Sequence, residues 1–257
     1  MSGFSAEWLA LRAAADGRAR RVELERRLAE WLRERLARDP ATPLLCVDLA
    51  CGTGANLAYL APRLPRPQRW RAIDADAALL THLRATTAGP PRAGDETLAV
   101  DVQQRDLAIA ALPAVIAGAA LVTASALLDL VSHAWLDALA GAVCGANAAG
   151  LFVLDYDGRR ECLPPDPCDA RAHAAFERHQ RTAKGFGPAL GGDAAAHAAR
   201  AFAARGYVVQ RATSDWVLGP DDASLQRELL RGWAEAAVEI EPASRDDVLG
   251  WRDRRLA

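Results

Sequence analysis

The stretch VDLACGTGANL, residues 47–57, limits the choice of fold more than any other part of the chain. An apolar run over residues 44–49 stops at a turn containing Gly52 and Gly54, and a helical pattern begins at once, over residues 54–61. Glycines at a strand-to-helix junction let the backbone approach a ligand closely, while the helix N-terminus presents unpaired N–H groups and a partial positive charge. The alternation then repeats. Strands are expected near residues 70–73, 97–103, 121–125 and 151–155, and helices over 75–86, just before 121, and over 132–142. Strands alternating with helices imply right-handed crossovers and a parallel sheet covered on both faces, so the fold class is α/β, doubly wound. Further helices are expected at 194–205, 223–238 and 246–256. Residues 207–214 read as a sixth strand near the sheet edge, covered by a C-terminal helix or paired with a second subunit.

Two segments fall outside this alternation. Residues 5–37 carry Trp8, Leu9, Val22, Leu24, Leu28, Trp31, Leu32 and Leu36 at three- and four-residue spacings, which is amphipathic helix, divided at Gly17. This gives an N-terminal helical cap, residues 1–40, on a main domain of residues 41–257. Between 156 and 193, prolines and glycines interrupt the pattern around one helix at 170–182, and the segment reads as an inserted lid. A net charge of -2 provides no basic footprint for nucleic acid, and no apolar run approaches the ~20 residues of a membrane span. Five cysteines without a C-x-x-C pair argue against a zinc knuckle and a disulfide framework, and fit a reducing cytoplasm. A monomer or homodimer is expected.

The glycine turn also narrows the ligand. The dinucleotide pattern G-x-G-x-x-G requires a third glycine where Leu57 stands, and a diphosphate would sit badly beside Asp48. An acid there suits a ligand with a cationic end. Asp74, 22 residues after Gly52 at the end of the second strand, is placed to accept ribose hydroxyls; an isolated acid there would cap a helix starting at Ala75, but the paired glycine loop favours the ribose.

Four motifs in order, VDLACGTGANL, WRAIDADAALL, VQQRDLA and LVTASALLDLVS, resemble those of class I S-adenosylmethionine-dependent methyltransferases over about residues 44–155. The resemblance implies a Rossmann-like methyltransferase fold with S-adenosylmethionine as cofactor. It implies that Gly52 and Gly54 pass beneath the methionine and ribose parts, with Ala50 and Asn56 in the same loop, and that Asp74, followed by Ala75, holds the ribose. Asp106 would meet the adenine amine unless it caps the next helix, and Leu107 would offer its N–H to the ring. Ser125 and Ala126 would line the methionine side, Asp48 would face the ammonium through water, and Arg12 would reach the carboxylate.

If the acceptor is a hydroxyl or ammonium, a base must remove its proton, and the candidates are Asp129, His133, Tyr156, His173 and His179. His133 reads as a helix-surface residue before a base, and His173 and His179, one helical step either side of Phe176, equally as part of a solvated lid. No third ligand accompanies the histidine pairs at a persuasive spacing, so no metal is expected. The stretch AKGFGPALGG around Lys184, the only lysine, is either a clamp for an acidic substrate or a surface loop. SALL stands where the amino-methylating enzymes of DNA and glutamine carry Asn-Pro-Pro-Tyr, which favours a small-molecule acceptor. Two alternatives remain open: an inactive cofactor-binding partner or regulatory subunit, and aminopropyl transfer from a decarboxylated cofactor.

Overall fold

Five parallel strands, among the residues described in the computed structural model (4–87 and 98–257), form one sheet: β1 (Leu44–Leu49), β2 (Gln68–Asp74), β3 (Leu98–Gln104), β4 (Leu121–Ser125) and β5 (Ala149–Val153). Their spatial order is β3-β2-β1-β4-β5. The chain steps outward from β1 to β3, then crosses back to place β4 on the other side of β1. The order reverses between β1 and β4, where a doubly wound sheet opens a crevice at its carboxyl edge. The expected fold class is therefore observed. A stretch rich in glycine and proline between the expected helix 75–86 and the third strand, together with Thr97 at the start of that strand, lies outside the described residues.

Alternate strand residues face opposite layers. Val47 and Leu49 of β1 join Ile73, Val122 and Ala124 in a core closed by α5 (Leu112–Ile116), α6 (His133–Gly145) and α8 (Ala194–Ala203). Cys46, Trp70, Ala72 and Leu121 face the other way. They pack under α2 (Val22–Arg38), α3 (Ala55–Leu60) and α4 (Ala77–Thr87). A third, smaller core lies apart from the sheet. There α7 (Asp169–Gln180) packs on α9 (Ala223–Ile240) and α10 (Arg245–Leu256) through Ala172, Ala175, Leu230, Ala234, Ala237, Val248 and Trp251.

Several boundaries differ from the sequence reading. The first helix, α1 (Ala6–Ala19), runs through Gly17 and ends at Arg20, whose buried side chain turns inward to donate to Asn56. The fourth helix starts at Ala77 rather than Ala75, because Asp76 caps it by accepting from the N–H groups of Ala78 and Leu79. Residues 207–214 form no strand, so the sheet has five strands among the described residues and not six. This segment has no buried face: Val208 is 90% exposed. Side chains hold it to α2, with Arg21 donating to Thr213 and Arg27 to Gln210 at 3.1 Å. β-propensity reports packing on a half-buried surface, and without one the segment stays unpaired. The C-terminal helices pack on α7 and on each other rather than along the sheet edge.

Candidate functional site

The glycine loop has a backbone that side chains rarely tolerate. Gly52 has φ +55° and Gly54 has φ +86°; a Cβ on Gly52 would stand 2.9 Å from Leu9 Cδ1, and one on Gly54 2.4 Å from Leu83 Cδ1. The loop is thus pressed between α1 above and α4 behind. Asp74 fixes it from the second strand: Oδ2 accepts the Gly52 N–H at 2.8 Å, and Oδ1 accepts the Asp76 N–H at 2.9 Å. Each carboxylate oxygen keeps a second lone pair for a ligand. The cap of α4 falls to Asp76, which leaves Asp74 to the loop.

Above the loop lies a cleft of about 440 Å³, open to solvent, lined by residues that include Leu9, Arg12, Asp16, Asp48, Ala50, Gly52, Asn56 and Ser125. Five of the residues singled out for cofactor binding in β1, its loop and β4 therefore meet there: Asp48, Ala50, Gly52, Asn56 and Ser125. Arg12 joins them from α1. Gly54 caps α3 one turn behind, and Ala126 follows Ser125 at φ +54°. Ala50 has φ +50° and Leu154 φ +62°, so the ends of β1, β4 and β5 each carry a non-glycine residue in the left-handed region. Strain of this kind persists where surrounding structure over-determines it, and it gathers at ligand sites.

Asp48 is fully buried, and burial pushes its carboxyl up to about 7, against a hydrogen bond from Asn56 and the charge of Arg20. Asn56 Nδ2 donates to Asp48 Oδ1 at 2.7 Å and to Thr123 Oγ1 at 3.2 Å, while Asn56 Oδ1 accepts from Arg20 Nη2 at 2.6 Å. Asp48 Oδ2 has no hydrogen-bond partner among the described residues. Arg20 and Thr123 complete this buried network, and the sequence reading missed both. Arg20 resembles any other arginine of an arginine-rich helix until the fold buries it.

Arg12 forms a two-point pair with Asp16, at 2.8 and 3.1 Å, and lies 5.0 Å over the Trp216 ring. Asp106 is exposed just beyond β3, with no partner for its carboxylate among the described residues, and Ala75 is exposed beside Asp74. Leu107 is buried, and its carbonyl accepts from Trp135 Nε1 at 2.6 Å.

The five candidate bases separate. Asp129, 6% exposed, sits in a short turn after β4 with Oδ1 unpartnered, beside Asp155 at the end of β5. His133 stacks on His197 at 4.5 Å on the outer side of α6, and His197 contacts Asp137 at 2.9 Å. Tyr156 donates to Glu177 Oε2 at 2.6 Å, and burial followed by that bond raises its phenol above the ordinary range. His173 faces Trp233 and Trp251 in the third core, and burial lowers its pKa. His179 contacts Lys184 at 3.4 Å and Glu239 at 3.4 Å, and is lowered by burial and then by the lysine. Helix α7, for which the sequence allows a solvated lid as one of two readings, is one of three helices in a packed unit with α9 and α10, and Arg160 is held over Tyr156, Phe176 and Trp233. Cys162, Asp169 and His173 bring their ligand atoms within 4.8 Å of one another, but Asp169 is engaged by Arg255 and by Trp251 Nε1 at 2.8 Å, and so ties α10 to α7.

No family model matches the sequence, and no curated protein matches it. Solved structures do. The chain is similar to an S-adenosylmethionine-dependent methyltransferase from Clostridium acetobutylicum, at 16% identity over 48% of each chain with a TM-score of 0.34. It is similar to the glycopeptide N-methyltransferase MtfA complexed with S-adenosylmethionine, at 17% identity over 49% of this chain and 53% of that one, TM-score 0.33. A third is the cyclopropane synthase MmaA2 from Mycobacterium tuberculosis, at 12% identity over 88% and 76%, TM-score 0.48. The match spans about half the length of the first two. Methyltransferases thus stand among the solved structures that the chain matches.

Proposed function

We propose that the protein is an S-adenosylmethionine-dependent methyltransferase acting on a small-molecule acceptor by in-line methyl transfer. The observation that carries this reading is the cleft at the switch point between β1 and β4, where a buried carboxylate with an orphan oxygen, Asp48, meets a glycine loop fixed by Asp74. The donor set fits the ligand. Asp48 Oδ2 suits an ammonium, directly or through one water, the free lone pairs of Asp74 suit a ribose diol, and Arg12, whose Nε and Nη2 are paired with Asp16, has Nη1 left at the same cleft for a carboxylate. Asp106, exposed beyond β3, is left for the adenine amine, with Leu107 and Ala75 flanking it. When bound, the cofactor supplies an electrophilic methyl on a sulfonium.

Beyond that the chain has to hold the acceptor in line and exclude water, which accounts for most of the rate of such a transfer. α1 does part of this by lying over the glycine loop at Leu9. The free cysteines suit a reducing compartment such as the cytoplasm, and no helix among the described residues is long and apolar enough to cross a membrane. Calorimetric titration with S-adenosylhomocysteine tests the cofactor, and methyl-labelled S-adenosylmethionine incubated with small metabolites tests the transfer. Absence of S-adenosylhomocysteine binding would overturn the assignment. Binding without transfer to any metabolite would favour an inactive cofactor-binding partner.

A further inference from the structure

The ends of β4 and β5 carry a second acidic site next to the cleft. Asp155 Oδ1 accepts the N–H groups of Leu127 at 3.1 Å and Leu128 at 2.8 Å, and the next residue in that turn is Asp129. The turn that Asp155 holds thus carries Asp129, four residues beyond Ser125 of the cleft wall, and the charge of Asp129 acts on Asp155. Asp129 is more than nine-tenths buried, and its Oδ1 has no partner among the described residues. An orphan acceptor of this kind destabilises a folded chain unless something donates to it.

The charges facing the pair can be named. Arg12 from α1 is the cation that acts on both acids, but its guanidinium is already engaged by Asp16 and Trp216. From the segment after β5, the Tyr156 N–H favours the ionised form of Asp129. Burial outweighs both and pushes the two carboxyls above their ordinary range, and Asp155 is raised further by the charge of Asp129. Asp155 is partly exposed, and two neighbouring carboxylates that repel one another resist double ionisation without a cation or a shared proton.

Resting on the methyltransferase reading above, we propose that Asp129 and Asp155 receive the protonated amine of the acceptor, which makes the reaction an N-methylation of a small cationic amine. The ammonium N–H proton passes to an Asp129 oxygen. The freed nitrogen lone pair then forms the N–C bond to the methyl carbon, while the C–S bond breaks with its electron pair going to sulfur. Atoms and charge balance: the Asp129 carboxylate gains one proton, and the positive charge of the sulfonium passes to the methylated nitrogen as the neutral thioether leaves. An anionic acceptor would bring a third negative charge against the pair, and an alcohol would leave its repulsion undiminished. Asp129 touches the substrate in this scheme. Asp155 is a positioning residue that holds the turn through Leu127 and Leu128.

The test uses the full chain, S-adenosyl-[methyl-13C]methionine and a cell metabolite extract, with the labelled product identified by mass spectrometry and NMR. The expected product carries the label on nitrogen. Asp129→Asn and Asp155→Asn should bind S-adenosylhomocysteine within about twofold of the parent while transfer falls by about 100-fold or more, the usual contribution of a positioned base. Asp129→Glu should recover part of the transfer, with a shifted pH profile. Label on oxygen, carbon or sulfur overturns the amine assignment while leaving the methyltransferase reading intact, as does full transfer by both Asn variants. Failure of the parent chain to bind S-adenosylhomocysteine removes the methyltransferase reading and this one with it. If the Asn variants lose S-adenosylhomocysteine binding through misfolding, the labelled product of the parent chain decides alone.

Discussion

Replacing Asp48 by asparagine should make the protein more stable in alkaline solution and a poorer binder of its cofactor. The side chain is fully buried, and its carboxyl is pushed to about 7 chiefly by burial, whereas in the unfolded chain it titrates near the usual 3.8. The folded state therefore holds the proton more tightly. Between about pH 4 and pH 7 the unfolded chain binds fewer protons than the folded one, so this group makes stability fall as pH rises through that window and level off above it. At about 1.4 kcal/mol per pH unit the full penalty is on the order of 4 kcal/mol, of which roughly 3 kcal/mol develops between pH 5 and pH 8. Asparagine keeps the shape and one acceptor for Asn56 but carries no charge, so its curve should lack this slope. Asp129 and Asp155 tilt both curves alike, and the difference between the two proteins isolates Asp48. Urea unfolding at pH 5, 6, 7 and 8 measures it. Parallel curves for the two proteins would refute the reasoning. In calorimetry the variant should lose the pH dependence of S-adenosylhomocysteine affinity along with part of the affinity itself, because an ammonium beside Asp48 favours its ionised form.

Asp74→Ala should weaken S-adenosylhomocysteine binding by about 1.5–3 kcal/mol, a tenfold to hundredfold rise in Kd, and an unchanged Kd would remove the ribose assignment. Gly54→Ala should destabilise by about 2–4 kcal/mol, since it places a Cβ in the left-handed region 2.4 Å from the buried Leu83 side chain; a loss under about 1 kcal/mol in urea unfolding would show that the loop relaxes freely. Trp251→Ala should cost about 3–5 kcal/mol and raise amide exchange in α7 and α10, because Trp251 is fully buried between them and its indole donates to Asp169. Unaltered exchange in α7 would mean that the insertion does not depend on the C-terminal helices.

Local chemistry was enough to read the sheet. Apolar runs of strand length, glycines at one junction and helical spacing between them impose parallel strands and crossovers, and β1, β2, β3 and β4 lie within two residues of where the pattern put them. The glycine loop was legible for the same reason: positive φ is a property of one residue and its neighbours, and glycine is the residue that permits it. Asp48 and Asp74 could be picked out because an acid at a strand's carboxyl end, beside such a loop, has few other uses.

What the chain order hides is which distant side chains share a buried volume. Residues 207–214 have the composition of a strand, and only the absence of a partner and of a buried face left them unpaired. Helix α7 has the charge of a solvated lid, yet α9 and α10, some fifty residues on, supply the apolar surface that covers its alanines. Arg20 is one arginine among thirty until the fold sets it against Asn56, and Asp155 is one acid among many until two backbone N–H groups and Asp129 come to lie beside it. Propensity and periodicity act over a turn or a strand, and sequence records them. Desolvation and the mutual repulsion of buried charges depend on three-dimensional distance, so the protonation states that set the chemistry of this site exist only once the tertiary structure has formed.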